Sequence, residues 1–331
     1  MRALLAKTDW AIVAAALALT ILSVMMIYSC THGEAGVGPK RYVIQLAAVG
    51  VGLLLMVLMA LFDYARLQTL GWPLYGLTLL LLLAVLFLGG EVRGAQRWLS
   101  LGPLHFQPTE LVKVAAVILL ASYWTQARSE NGSLAKTLIS FAFLVPAMGL
   151  SFLQPDMGTP VVLIGTWLVL AYVGGAKPGH LVVVVGVLAT LFAGAWVTDV
   201  IKPHQKARLM AFANPEADPR GGGWQVRQSL IAVGSGHLFG QGYMRGTQTQ
   251  LSFIPDQESD FIFTAIAEEL GFAGACLTLL LLGAVIYRAM VIADIARDGF
   301  GRLLAAGVAG VLMTHVLVNV GMTLGLMPVK G

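Results

Sequence analysis

Long apolar runs constrain this chain more than any other feature. Bounded by Gly, Pro and charged residues, they fall at about 10–28, 42–62, 72–89, 107–126, 137–153, 159–174, 180–197, 261–287 and 303–326. Each is close to the roughly 17–25 residues with which a helix crosses a bilayer core. Only 11% of the 331 residues are charged, with 21 Lys+Arg and 17 Asp+Glu, whereas soluble domains carry about 25%. That is too few to cover a water-facing surface. The pattern predicts an all-α polytopic membrane protein with nine spans, forming one transmembrane domain over 1–331. The first run follows Arg2 and Lys7, exceeds a signal-peptide core in length and lacks a small-residue cleavage site, so it reads as a retained span.

The remaining composition excludes several classes. Cys30 and Cys276 lie in separate apolar runs and read as small hydrophobes, not a disulfide framework. The net charge of +4 is spread over loops without a basic patch or interleaved aromatics, which argues against nucleic acid and suits membrane lipids. With the N-terminus cytoplasmic, the inner side holds nine cations (Arg2, Lys7, Arg66, Arg128, Lys136, Lys177, Arg288, Arg297, Arg302). The short outer loops hold five (Lys40, Arg41, Arg93, Arg97, Lys330), so the bias favours that orientation. The long polar stretch 198–259 then forms an extracytoplasmic loop on the same side as Glu91–Phe106. Within it, Trp224–Leu238 reads as a short amphipathic helix lying in the interface. GSGHLFGQG (234–242) lacks a preceding strand and the Walker lysine, and reads as flexible backbone near the membrane.

An ionisable side chain within a span costs about 2.5 kcal/mol or more, so each one requires a reason. Glu110 and Lys113 open the fourth span three residues apart, on one helical face. Two readings stay open for them: a self-neutralising structural pair, or an anion-binding Lys113 oriented by Glu110. Asp156 follows Pro155 in a tight turn, where an Asx bond to the backbone suffices to explain it. Asp260 immediately precedes an apolar helix and suits a cap. Glu268 and Glu269 lie two turns into that helix, and at least one must face protein or water. His315 and Asn319, four apart on the last span, suit interhelical hydrogen bonding better than metal ligation. Arg93, Arg97 and Lys113, with Trp98 among them, suit either a pyrophosphate or lipid headgroups.

Four segments then resemble the SEDS family (shape, elongation, division and sporulation): GAQRWLSLGPLHFQPTELVK (94–113), QPDMGT (154–159), QSLIAVGSGHLFGQGYMRGTQTQLSFIPDQESDFIFTAIAEELG (228–271) and VNVGMTLGLMPVKG (318–331). The stretch before FIF is closer to the RodA branch than to FtsW. The resemblance implies a ten-span enzyme of the bacterial inner membrane that polymerises lipid II into β-1,4 glycan strands on the outer leaflet. It makes Asp260 the candidate catalytic base and places Arg97, Glu110 and Lys113 around a polar substrate cavity. Asp156, Trp98, Gln107, Glu268 and Glu269 are left as structural or modulatory residues. Two departures stand out: Ile44, not a cation, precedes Gln45, with Arg41 one turn earlier, and the chain ends at Gly331 where the family pattern continues into a tenth span.

The implied chemistry is an inverting transfer. Asp260 would take the proton of the acceptor 4-hydroxyl as it attacks the donor anomeric carbon. Arg97 and Lys113 would stabilise the departing pyrophosphate, with Mg2+ or Mn2+ as a candidate cofactor and no ligand set assigned. The implied partners are lipid II, the growing glycan strand, membrane lipids and a class B penicillin-binding protein. The rival function is a lipid II flippase, expected to place its site near the bilayer midplane between broken helices; a noncatalytic scaffold is the third class.

Overall fold

The computed structural model describes residues 8–32, 41–92, 95–101, 104–126, 132–154, 156–198, 206, 210, 212 and 222–328. Its first helices are α1 (Trp10–Thr31), α2 (Arg41–Leu61) and α3 (Ala65–Leu88). A small sheet of β1 (Gly90–Val92), β2 (Ala95–Leu101) and β3 (Leu104–Phe106) leads into α4 (Pro108–Gln126). There follow α5 (Leu134–Ala142), α6 (Val145–Leu153), α7 (Gly158–Val173) and α8 (Pro178–Val197). The outer segment contributes α9 (Gly222–Ser235) and α10 (Thr247–Gln250), before α11 (Ile262–Ile295) and α12 (Gly299–Thr323). Among the described residues seven helical segments are long and apolar enough to cross a membrane: α1, α2, α3, the α5–α6 pair, α8, α11 and α12. The chain is a multi-pass helical membrane protein.

Local chemistry explains the boundaries. Asp9 caps α1 by accepting from Ala11 N at 3.1 Å and Ile12 N at 3.4 Å. Asp298 caps α12 through Gly301 N at 2.7 Å and also accepts from Tyr64 OH at 2.5 Å, which holds its carboxyl below the ordinary 3.8. The run 137–153 is divided at Phe143 and Leu144 because Pro146, in the first turn of α6, can neither donate to nor tolerate the carbonyl four residues earlier. The fold is all-helical as expected, with one short addition between α3 and α4: β1, β2 and β3 pair antiparallel, Gly90 opposite Trp98 and Leu99 opposite Phe106. β1 and β3, three residues each, are too short to impose a readable alternation on the sequence.

The core centres on α4, which lies among α3, α7 and α12 and buries Val112, Val117, Leu119, Leu120 and Trp124. Close approach depends on small residues: a Cβ at Gly165 would overlap Thr314, and one at Gly307 would overlap Val117. By contrast, α2 buries no residue and packs chiefly along α1, leaving apolar side chains such as Leu54, Val57 and Leu61 outward. Exposed apolar faces of this kind are stable against lipid tails.

Helix α11 is broken at Gly271, whose φ of 69° and ψ of −169° are outside the helical region. In an unbroken helix Phe272 N and Ala273 N would donate to Glu268 O and Glu269 O. The loop 237–242 takes all four groups instead. Phe272 N donates to His237 O (2.8 Å) and Ala273 N to Leu238 O (3.0 Å), while Gln241 N donates to Glu268 O (2.9 Å) and Gly242 N to Glu269 O (3.1 Å). GSGHLFGQG is thus docked backbone, not the flexible stretch expected. Its glycines permit that approach, since a Cβ at Gly236 would overlap Ala267 O and one at Gly240, at φ 82°, would overlap Glu269 O. Gly240→Ala is expected to destabilise the protein by about 1–3 kcal/mol, read as an earlier thermal unfolding transition in detergent.

Candidate functional site

Asp260 stands one residue before the Phe261 that precedes α11, and it is half-buried. Its position is set by the turn behind it. Asp256, held in the left-handed region at φ 54°, uses its carbonyl to accept from Ser259 N at 3.1 Å and Asp260 N at 3.0 Å. Ser252, Met244 and His237 also have positive φ, so four non-glycine residues within 237–256 carry backbone strain of about 1–2 kcal/mol each. Phe261 is buried with Ala232 of α9, Ile254 and Met322 of α12, which seats the segment carrying Asp260 on three elements.

The adjacent acids of α11 hold this segment. Glu268 is fully buried: one carboxylate oxygen accepts from Gln248 N at 2.7 Å and Thr247 Oγ1 at 3.3 Å, the other from Thr249 N at 3.0 Å and Thr249 Oγ1 at 2.7 Å. Gln257 continues the network, donating to Thr249 Oγ1 at 3.0 Å and to Thr264 Oγ1 at 3.1 Å, one turn into α11 from Asp260. Glu269, also fully buried, accepts from Ser29 Oγ of α1 at 2.6 and 2.8 Å and from Gln250 Nε2 at 3.3 Å. Tyr243 donates to Met25 O at 2.9 Å; burial raises its hydroxyl above its ordinary value, and the nearby Glu269 carboxylate adds to that. Both glutamates face protein, and their donors come from the loop and from α1.

The remaining predicted residues lie on other elements. Lys113, 4% exposed, contacts Glu110 at 2.7 Å and His315 Nε2 of α12 at 2.9 Å; Glu110 is 61% exposed. Gln107 accepts from Glu110 N at 3.2 Å, closing the first turn of α4. Trp98 is half-buried on β2. Arg97 belongs to the same strand, its side chain lying outside what the structure describes, and Arg93 lies outside the described residues. Asp156 caps α7, accepting from Gly158 N at 2.9 Å, Thr159 N at 3.2 Å and Thr159 Oγ1 at 2.7 Å. Arg41, at the start of α2, pairs with Glu258, two residues before Asp260. The predicted amphipathic helix is present as α9, but it buries Val226, Gln228, Ser229 and Ala232 against the helical body; Ser229 Oγ donates to Thr323 O at 2.5 Å.

Sequence reasoning singled out neither Gln257 nor Glu258, named Arg41 only as an outer-side cation one turn before Gln45, and gave His315 no partner on another helix. Their signals are relational: a buried lysine requires an acceptor, and a strained turn requires a strut. Among the described residues no three His, Cys, Asp or Glu gather as a metal-ligand set. Glu268→Gln keeps the side chain's shape but leaves only one accepting end where two backbone amides need both oxygens. It is expected to cost about 1–3 kcal/mol, measured by thermal unfolding.

Comparison with known proteins gives a consistent result. The family model FtsW/RodA/SpoVE, described as cell cycle protein, matches residues 9–331. The chain is 35% identical over 321 residues to the peptidoglycan glycosyltransferase MrdB of Escherichia coli K12, covering 95% of this chain and 84% of that protein. It is 30% identical over 394 residues to the peptidoglycan glycosyltransferase RodA of Treponema pallidum, covering 98% and 91%. Among solved structures, a peptidoglycan synthase complex described by the structural coordination of polymerization and crosslinking matches with a TM-score of 0.81 at 32% identity, covering 98% of this chain and 90% of its own. The rod shape determining protein RodA of Thermus thermophilus matches with a TM-score of 0.69 at 32% identity, covering 98% and 88%.

Proposed function

The chain belongs to the FtsW/RodA/SpoVE family, and from that membership we propose that it is a peptidoglycan glycosyltransferase of the RodA branch, polymerising lipid II for cell elongation. The observation that carries the reading is Asp260: a carboxylate at the mouth of a helix, on a turn fixed by the Glu268–Thr249–Gln257 network. Asp260 takes the proton of the acceptor 4-hydroxyl while that oxygen attacks the donor anomeric carbon. The C–O bond to the undecaprenyl pyrophosphate breaks with inversion, and its electron pair leaves on the phosphate. Lys113 and Arg97 stabilise that charge, and because pyrophosphate is already a good leaving group, no second acid is required. A divalent cation, Mg2+ or Mn2+, would arrive on the pyrophosphate and need only one or two carboxylates, Glu110 being the one beside Lys113.

The geometry of a lipid-linked substrate supports the same reading. Between α1 and α2 runs a groove of about 410 Å³, lined in part by Leu17, Val49, Leu53 and Met56. It suits an isoprenoid chain entering from the bilayer, with Arg41 at the end of α2 nearest Glu258. In the topology proposed here nine spans cross the inner membrane, α4 and α7 joining the seven more apolar segments. The N-terminus is cytoplasmic and the loop 198–259 is extracytoplasmic, its described part from Gly222 onward roofing the site together with the sheet, with α9 at the interface. The whole chain acts as one transmembrane domain beside a class B penicillin-binding protein. The flippase reading is disfavoured because the backbone groups freed at Gly271 are hydrogen-bonded by the loop and are not offered to a transported headgroup.

The direct test is polymerisation of purified lipid II by the protein, alone and with its class B partner. Asp260→Ala is expected to lower glycan synthesis by about 10²- to 10⁴-fold. Normal synthesis by that variant would remove Asp260 from the mechanism, and lipid II translocation without polymer would support the flippase instead.

A further inference from the structure

Lys113 is 4% exposed, yet its ammonium carries three N–H groups that need acceptors. Glu110 accepts one at 2.7 Å, and His315 Nε2 meets another at 2.9 Å. Lysine only donates, so Nε2 is the acceptor, and His315 is a neutral imidazole with its proton on Nδ1. The two partners differ in what they fix. Glu110 is 61% exposed and shares its carboxylate with water, whereas the imidazole is attached to α12, packed against α4 and α7.

The same layer holds further polar atoms. α4 and α12 meet at Lys113 and His315 and again where Gly307 closes on Val117, an antiparallel register. Thr109, one turn before Lys113, shares its face of α4, and Asn319, one turn after His315, shares its face of α12. Thr109 is fully buried, and both Thr109 Oγ1 and Asn319 Oδ1 are buried without a hydrogen-bond partner among the described residues. A hydroxyl able to donate and an amide oxygen able to accept thus stand one helical turn from the two ends of the Lys113–His315 contact, whose ammonium makes two contacts among the described residues.

Resting on the glycosyltransferase reading above, we propose that His315 is a positioning residue. By accepting one Lys113 N–H it directs another toward the pyrophosphate oxygens, with the Thr109 hydroxyl as a second donor beside it. The role passes entirely through Lys113, which gives it a signature that mere packing lacks. His315→Leu removes the acceptor, whereas His315→Gln supplies an amide oxygen in its place.

The test measures lipid II polymerisation by the protein with its class B partner. His315→Leu is expected to lower kcat/KM about 10- to 100-fold, mainly through kcat, because the charge it helps to place develops as the bond breaks. His315→Gln should recover most of that loss. In a Lys113→Met background, His315→Leu should cost nothing further. Independently of activity, ¹⁵N-histidine NMR of the wild-type protein should show His315 protonated on Nδ1. Unchanged kinetics in His315→Leu, equal loss in both single variants, multiplied losses in the Lys113→Met background, or a proton on Nε2 would each overturn the proposal. If the wild type makes no glycan, the glycosyltransferase reading fails, while the NMR result still decides the contact between His315 and Lys113.

Discussion

The exchange of four backbone hydrogen bonds at Gly271 is the interaction on which the outer half of the molecule depends. A break in a helix at membrane depth exposes donors and acceptors that hydrocarbon cannot satisfy, at several kcal/mol for each group. Here the loop 237–242 supplies the missing partners atom for atom. The break therefore becomes a docking edge, and the segment that docks there leads directly to α10 and the turn bearing Asp260.

The two buried glutamates extend the same logic from backbone to side chains. Glu268 gathers the start of α10, and Glu269 gathers α1 through Ser29. An unpaired buried carboxylate would be prohibitive, but these two accept from amides and hydroxyls that have no better partner. The chain thus uses buried acids as fasteners near its proposed catalytic carboxylate. Asp260 sits at the edge of this network and remains half-buried. Lys113 is held between an exposed carboxylate, Glu110, and the His315 imidazole of α12.

Much of the helical framework was legible because the hydrophobic requirement of a bilayer is written residue by residue in apolar runs of the right length; the break of 137–153 before Pro146 and the caps at Asp9 and Asp298 emerge only from the structure. The need for at least one of Glu268 and Glu269 to face protein or water was legible too, but not which groups they meet, since Ser29 is 240 positions away from Glu269. Glycine-rich 234–242 reads locally as freedom; only the contact with Ala267 and Glu269 shows that those glycines serve close approach. The three-residue strands β1 and β3 carry too little periodicity to be read. The contact between Lys113 and His315, 202 positions apart, depends on the register of two helices that no local pattern encodes.

The central structural claim is that the loop completes the broken helix. Hydrogen–deuterium exchange of the native protein in lipid nanodiscs, resolved for 236–242 and 268–273, measures it most directly. Slow exchange of Gln241, Gly242, Phe272 and Ala273 as one cooperative unit is expected. Rapid exchange at Gln241 and Gly242, with the rest of α11 protected, would contradict it.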